Sequence, residues 1–212
     1  MTARSKRPRI GRPTHAESAA LDDRLRKAAV ETFLEHGFDG TTMEEVARAA
    51  GITKRTLYAR HADKHALFAD VIPWALSRHG REELEAGPER EDLAAGLSRI
   101  GRSALQRAID PEIVRLTRIA RNESARFPEF AVSARTLSWS PRLRAVIELL
   151  RRHEATGAVV IDDVELAAEQ FLAMVSLMPA RLAEFGVFRS RREEERHLEH
   201  AVRLFLRGIL PR

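Results

Sequence analysis

Residues 33–68, FLEHGFDGTTMEEVARAAGITKRTLYARHADKHALF, carry the pattern that decides the fold. Leading into them, Leu21, Leu25, Ala28, Ala29, Phe33 and Leu34 recur close to helical period, so a first helix is expected over Leu21–His36. Gly37 follows it, the residue type that takes a left-handed backbone without steric cost and so commonly stands just past a helix end. Phe38 returns to the core. Thr41 and Thr42 are both placed to cap the next helix, and Glu45 lies three residues after Thr42, the capping-box spacing. That helix, Met43–Ala50, buries Met43, Val46 and Ala47. Gly51 then makes a tight turn over Ile52. Thr53 caps a third helix, Lys54 to about Arg60, with Leu57 facing inward. A short helix, a glycine turn and a second helix opened by polar residues form the helix-turn-helix pattern, in which the second helix enters the major groove of DNA.

The exposed residues of that third helix have the matching chemistry. Thr53, Lys54, Arg55 and Thr56 stand at its N-terminal end, where base edges are usually reached. A bidentate contact from Arg55 to a guanine would supply about 1–3 kcal/mol of discrimination. The hydroxyls of Thr42 and Tyr58 suit phosphate oxygens, contacts that set register and carry no sequence information. Lys64 follows Asp63, an expected cap of the fourth helix, where the ammonium and the free amides of that helix start would both suit a phosphate.

On these residues the chain resembles the TetR/AcrR family of bacterial transcriptional regulators. The resemblance rests on Gly37-Phe38, Thr41-Thr42, Val46-Ala47, Ala50-Gly51-Ile52-Thr53, Thr56-Leu57-Tyr58, Lys64 and Leu67-Phe68, and covers about residues 20–70. It implies a three-helix DNA-binding domain, an all-helical effector domain, a homodimer, and repression released by a small molecule. It also implies that Thr42, Lys54, Thr56, Tyr58 and Lys64 touch DNA. One position departs from the family pattern: His61 stands where a Phe is usual, either as a polar replacement at the domain edge or as a phosphate contact.

Charge is localised rather than general. The formal net charge is +5, and Arg4, Lys6, Arg7, Arg9 and Arg12 contribute all of it within residues 1–16, which hold no acid. With Pro8, Gly11 and Pro13 this stretch reads as a disordered basic arm. Its Arg7-Pro8-Arg9-Ile10-Gly11-Arg12-Pro13 run resembles an AT-hook core with an inserted Ile10. Arg9 and Arg12 are therefore candidates for a narrow A·T-rich minor groove. The bland alternative is a solvated tail adding non-specific, salt-sensitive affinity. Cysteine is absent, which excludes disulfides and thiolate chemistry. No apolar run approaches the roughly 20 residues that span a bilayer. The basic N-terminus lacks the apolar core of a signal peptide. A cytoplasmic bacterial protein with no membrane partner is the expectation.

Beyond Phe68 the pattern is helix after helix. A fourth helix is expected over Lys64–His79, bent or ended at Pro73, and a fifth over Glu89–Ile109 after the Gly87-Pro88 break. Asp110-Pro111 opens a sixth, to about Ser124. Phe127-Pro128 opens a seventh, to about Ala155, with Ser140-Pro141 a point where it would split. Asp162-Asp163 opens an eighth through Phe185, and a ninth spans Arg191–Gly208. The expected architecture is all-α, in three parts. Residues 1–16 are a basic arm, 17–65 a three-helix helix-turn-helix DNA-binding domain, and 66–212 a larger helical ligand-binding and dimerisation domain.

The eighth and ninth helices are apolar on more than one face, through residues such as Leu166, Phe171, Leu177 and Leu182, and Leu198, Leu204 and Phe205. Such helices need cover on two sides, one by their own core and the other by a partner copy, with two-sided burial within a monomer as the competing reading; they are the expected homodimer surface. A twofold dimer would also space two recognition helices by one DNA turn. Trp74, Leu97, Ile100, Leu116, Trp139, Met174 and Met178 are candidates to line a pocket for a small, lipophilic effector, with plain core packing as the competing reading of each. Residues 126–130, Arg-Phe-Pro-Glu-Phe, resemble a C-terminal domain type of a subset of the same regulators. His61/His65 and His197/His200 have helical metal-ligand spacing but lack further ligands, so no metal is expected. No phosphate loop or nucleophile motif points to an enzyme or a cofactor. A helical adaptor holding DNA through the basic arm alone is the remaining rival.

Overall fold

The computed structural model of this chain describes residues 15–78, 91–128 and 141–210. These form nine helices and no strand among the described residues, the all-α class expected. The helices are α1 His15–Gly40, α2 Met43–Ala49, α3 Lys54–Tyr58, α4 Lys64–Arg78, α5 Leu93–Ile109, α6 Pro111–Asn122, α7 Pro141–Glu154, α8 Val164–Glu184 and α9 Arg191–Ile209. The chain divides into two compact units, Met1–Lys64 and His65–Arg212.

In the first unit α1 packs on α2, and α2 on α3. Leu25, Ala29, Phe33, Val46 and Leu57 are almost wholly buried there. α1 starts at His15, well ahead of the expected Leu21. Ala16, Ala19 and Ala20 are exposed, and strong helix formers extend a helix past the face that packing requires. Gly37 leaves helical geometry with φ 71° and ψ 178°, which lets the chain bend and brings Phe38 back to stack on Phe33 with ring centroids 6.3 Å apart. Gly51, at φ 65°, makes the second turn. Of the two threonines expected to cap α2, only Thr42 does so. Thr41 is buried, and its hydroxyl donates to the Gly37 carbonyl at 2.7 Å. α3 is shorter than expected, and the amides of Arg60 and His61 turn back to the Leu57 carbonyl.

In the second unit α5 is central, packing on α6, α7, α8 and α9. Its start is Leu93 rather than Glu89, because Asp92 is the N-cap, accepting from the Ala95 amide at 3.1 Å. Asp110 and Asp163 cap α6 and α8 in the same way, and Ser190 with Glu193 forms a capping box on α9. Such caps satisfy amides that a helix start leaves without internal partners. α4 continues through Pro73 to Arg78, so the proline does not end it. The seventh helix does not open at Phe127-Pro128, which lie outside any helix; residues 129–140 are outside the described ones, and α7 begins at Pro141.

Gly101 is where α5, α8 and α9 meet. A Cβ there would stand 2.7 Å from Leu198 Cδ1 and 3.3 Å from Phe171 Cζ, so the absence of a side chain is what admits both neighbours. Near the end of α6, Phe127 is fully buried, with its ring 4.1 Å from His65 and 4.8 Å from Phe68 of α4.

α8 also runs through a proline, Pro179. Proline has no N–H, so the carbonyl four residues earlier, that of Val175, loses its helical donor. His197 of α9 supplies one: its Nε2 donates to the Val175 carbonyl at 3.0 Å. This places His197 in a structural bond rather than on a solvated face. His197→Ala leaves a buried carbonyl without a donor and should destabilise the fold by about 1–3 kcal/mol. His197→Gln, which keeps an N–H, should recover part of that loss in the same denaturant titration. Equal losses for both would count against the bond.

A second tie secures the start of α5. The Arg99 guanidinium grips Glu91 through two hydrogen bonds of 2.8 Å, and the Glu91 side chain is only 7% exposed. The hydrogen bond from Arg99 holds the Glu91 carboxyl below its ordinary value of 4.5, against the opposing effect of burial. A carboxyl whose pKa is depressed by folding contributes stability above its unfolded value and loses it as pH falls through the depressed one. Wild type should therefore exceed Glu91→Gln in stability near neutrality, with the gap closing as pH drops below 4.5. Denaturant midpoints measured from pH 7 to pH 3 would check this, and a gap independent of pH would refute it.

Candidate nucleic-acid interface

The candidate DNA-facing residues of the first unit lie on α2, on α3 and at the start of α4. α3 has five residues, too few for a stable isolated helix, so its form depends on its cap and on Leu57 in the core. Thr53 is that cap. Its Oγ1 accepts from the Thr56 amide at 3.1 Å and shares a hydrogen bond of 2.8 Å with the Thr56 hydroxyl. Two further bonds fix the motif against α1. Arg24 Nε donates to the Ala50 carbonyl at the end of α2, at 3.2 Å. Arg60 Nε donates to Asp22 at 2.7 Å. Both link residues far apart in sequence, and no local pattern announces them.

The candidates differ in what their side chains already hold. Arg55 is exposed, and its guanidinium has no hydrogen bond or ion pair among the described residues. Tyr58 is half exposed. Thr42 is exposed, but its hydroxyl donates to Glu45 Oε2 at 2.8 Å and accepts from the Glu45 amide at 3.3 Å. The hydroxyl bond to Oε2, with a second from the Thr42 amide to the same oxygen at 2.9 Å, holds the Glu45 carboxyl below its ordinary value. Lys64 Nζ donates to the Asp39 carbonyl at 3.2 Å and stands 4.7 Å from the centre of the Phe38 ring. Lys54 Nζ is ion-paired with Glu44 of α2. Glu44 was not anticipated from the sequence. It precedes Lys54 by ten residues across a turn, a spacing that no helical rule connects. His61 is half-buried. Arg9 and Arg12 lie outside the described residues.

The candidate effector-lining residues belong to the second unit. Leu97, Ile100 and Leu116 are fully buried. Met174 packs, partly buried, against the core formed by α5, α7, α8 and α9. Trp74 is half-buried, with the Arg78 guanidinium 5.4 Å from its ring. Trp139 lies outside the described residues. Met178 needs correction: it is 56% exposed and does not join the inward set. The buried face of α8 carries Phe171, Val175, Pro179 and Ala183, and successive residues on a helix diverge by about 100°. That phase turns Leu177 to the opposite side and leaves Met178 on the flank of the buried face, where it is exposed.

Comparisons with known proteins agree with this geometry. Residues 25–71 match the family described as bacterial regulatory proteins, tetR family. Residues 95–208 match the AefR-like transcriptional repressor, C-terminal domain. The HTH-type transcriptional regulator AcrR of Shigella flexneri is 32% identical over 76 residues, covering 36% of this chain and 34% of that protein. The HTH-type transcriptional repressor BepR of Brucella suis is 35% identical over 81 residues, covering 38% of each. These alignments thus span well under half the length of the curated relatives. Among solved structures, the flavonoid-responsive regulator FrrA is 32% identical with a TM-score of 0.75, covering 92% of this chain and 99% of that one. A TetR-family regulator from Mesorhizobium loti is 26% identical with a TM-score of 0.74, covering 94% and 100%.

Proposed function

This chain belongs to the TetR family of bacterial regulatory proteins, and we propose that it represses transcription as a twofold dimer released from a near-palindromic operator by a small apolar effector. It is a DNA-binding transcriptional regulator and not an enzyme. The observation that carries operator reading is Arg55, exposed at the start of α3 with no competing partner among the described residues. Lys54, Thr53 and Thr56 flank it. Thr42, Tyr58 and Lys64 take phosphates that set register, and the arm, with Arg9 and Arg12, adds affinity that falls with salt.

The dimer would form through α8 and α9. Leu166, Leu177 and Met178 of α8 and Leu204 of α9 are all about half exposed or more. Large apolar side chains exposed on both helices favour a self-complementary contact between copies. Residues 66–212 would then serve both effector and partner. Buried Leu97, Ile100 and Leu116 suit an apolar effector, and the kinship with a flavonoid-responsive regulator favours a planar aromatic one. Two states account for release: one spaces the recognition helices for the operator, and effector binds the other more tightly. The protein would act on DNA in the bacterial cytoplasm.

A footprint on the DNA upstream of the gene tests the reading. The expected result is a protected near-palindrome that is lost on adding an apolar aromatic effector from a flavonoid panel. Diffuse, salt-sensitive protection without a defined site would instead favour a binder that uses the arm alone. A defined site that no compound releases would remove the effector part of the proposal.

A further inference from the structure

We propose that Glu44 is a specificity-determining residue, which holds the Lys54 ammonium away from DNA phosphates and yields it only where a base edge rewards the exchange. The inference rests on the DNA-binding reading above. Glu44 lies in the first turn of α2, Lys54 is the first residue of α3, and the two side chains pair across the turn of the motif. Both are more than half exposed, so the pair is accessible to a third charge. The hydrogen bond from Lys54 holds the Glu44 carboxyl below its ordinary value, so Glu44 remains anionic at neutral pH. It is an acid placed beside the N-terminal end of the helix that faces polyanionic DNA.

Such a pair is weak, as exposed ion pairs are. A single exposed phosphate offers Lys54 little more than Glu44 already does, and the phosphate is repelled by the carboxylate beside it. On random sequence, therefore, Lys54 stays with Glu44 and neutralises no phosphate. A base edge with two acceptors offers more, and the exchange then favours the operator. Glu44 thereby lowers binding to every sequence that lacks the right base and raises the ratio of operator to random binding.

The test measures binding of the full chain to a random-sequence duplex and to its operator over a range of salt. Wild type is compared with Glu44→Gln, Lys54→Ala and the double variant. Glu44→Gln should bind the random duplex more tightly, with one more phosphate neutralised per protomer and, for a dimer, a log–log salt slope steeper by about 1.8. Its advantage over wild type on that duplex should then grow about 12-fold between 0.2 M and 0.05 M salt, which is the same slope over a fourfold change. The ratio of operator to random binding should fall. In the Lys54→Ala background the substitution should leave the slope unchanged, because the ammonium that it releases is gone. An unchanged slope for Glu44→Gln, or an equal steepening without Lys54, overturns the inference while leaving the regulator reading in place. Absence of duplex binding by wild type overturns that reading and this inference with it. Glu44 is exposed, and matching melting curves would show that the fold is retained.

Discussion

Replacing Arg55 and Thr56 together with alanine is expected to abolish operator protection while leaving weak binding to any duplex. A bidentate arginine–guanine contact is worth about 1–3 kcal/mol, and the proposed twofold dimer would make it twice on a near-palindrome, so about 2–6 kcal/mol per dimer would be at stake. That corresponds to an affinity loss between about thirtyfold and more than ten-thousandfold. The motif itself should survive the change. Thr53 retains its capping bond to the residue 56 amide, Leu57 remains in the core, and alanine is a better helix former than threonine. Phosphate contacts and the arm are untouched, so the residual binding should keep a steep salt dependence. Operator affinity of the variant within threefold of wild type, with an unchanged melting curve, would remove α3 as the reading helix.

Phe171→Ala should cause the largest stability loss among the substitutions considered. The ring is fully buried and packs on Phe205 at 5.1 Å, in the place that Gly101 leaves open on α5. Truncating a buried phenylalanine costs about 3–5 kcal/mol, the spread depending on how far the site collapses. Here the ring fills space that Gly101 leaves, 3.3 Å from where a Cβ would stand, so its loss opens a gap between α5 and α8. For a protein of this size the melting temperature should fall by about 6–20 °C. Because whole-domain stability is typically about 5–15 kcal/mol, the variant should populate unfolded molecules at growth temperature. A fall of under about 3 °C would show that the neighbouring helices close the gap.

Much of the fold was legible because its signals are local. Gly37 and Gly51 sit where the backbone has positive φ, and Thr42, Thr53, Asp110, Asp163 and Ser190 cap helices through bonds that reach only two or three residues. A turn or a cap is decided by neighbours in the chain, so the order of the helices and most of their starts follow from spacing alone. Ends were less legible. α1 runs back to His15 because exposed alanines prolong a helix without any apolar period to mark it.

The candidate interface divides in the same way. The residue types on α3, an arginine, a lysine and two threonines around a helix start, were readable from the sequence, and so was a mechanism for them. Which of these side chains is already engaged was not. Lys54 is held by Glu44, Lys64 by Asp39 and Arg60 by Asp22, across separations of 10, 25 and 38 residues that only the packing of helices closes. The same holds for the His197 bond to the Val175 carbonyl and for the exposure of Met178. α8 and α9 are apolar on two faces, and periodicity assigns no preference between such faces. The sequence by itself determined the helices, their punctuation and the chemistry at the head of α3, because those depend on interactions within a turn or two of chain. Tertiary structure alone decided helix phase and charge pairing, because both depend on which surfaces the packed helices bring within a few ångströms.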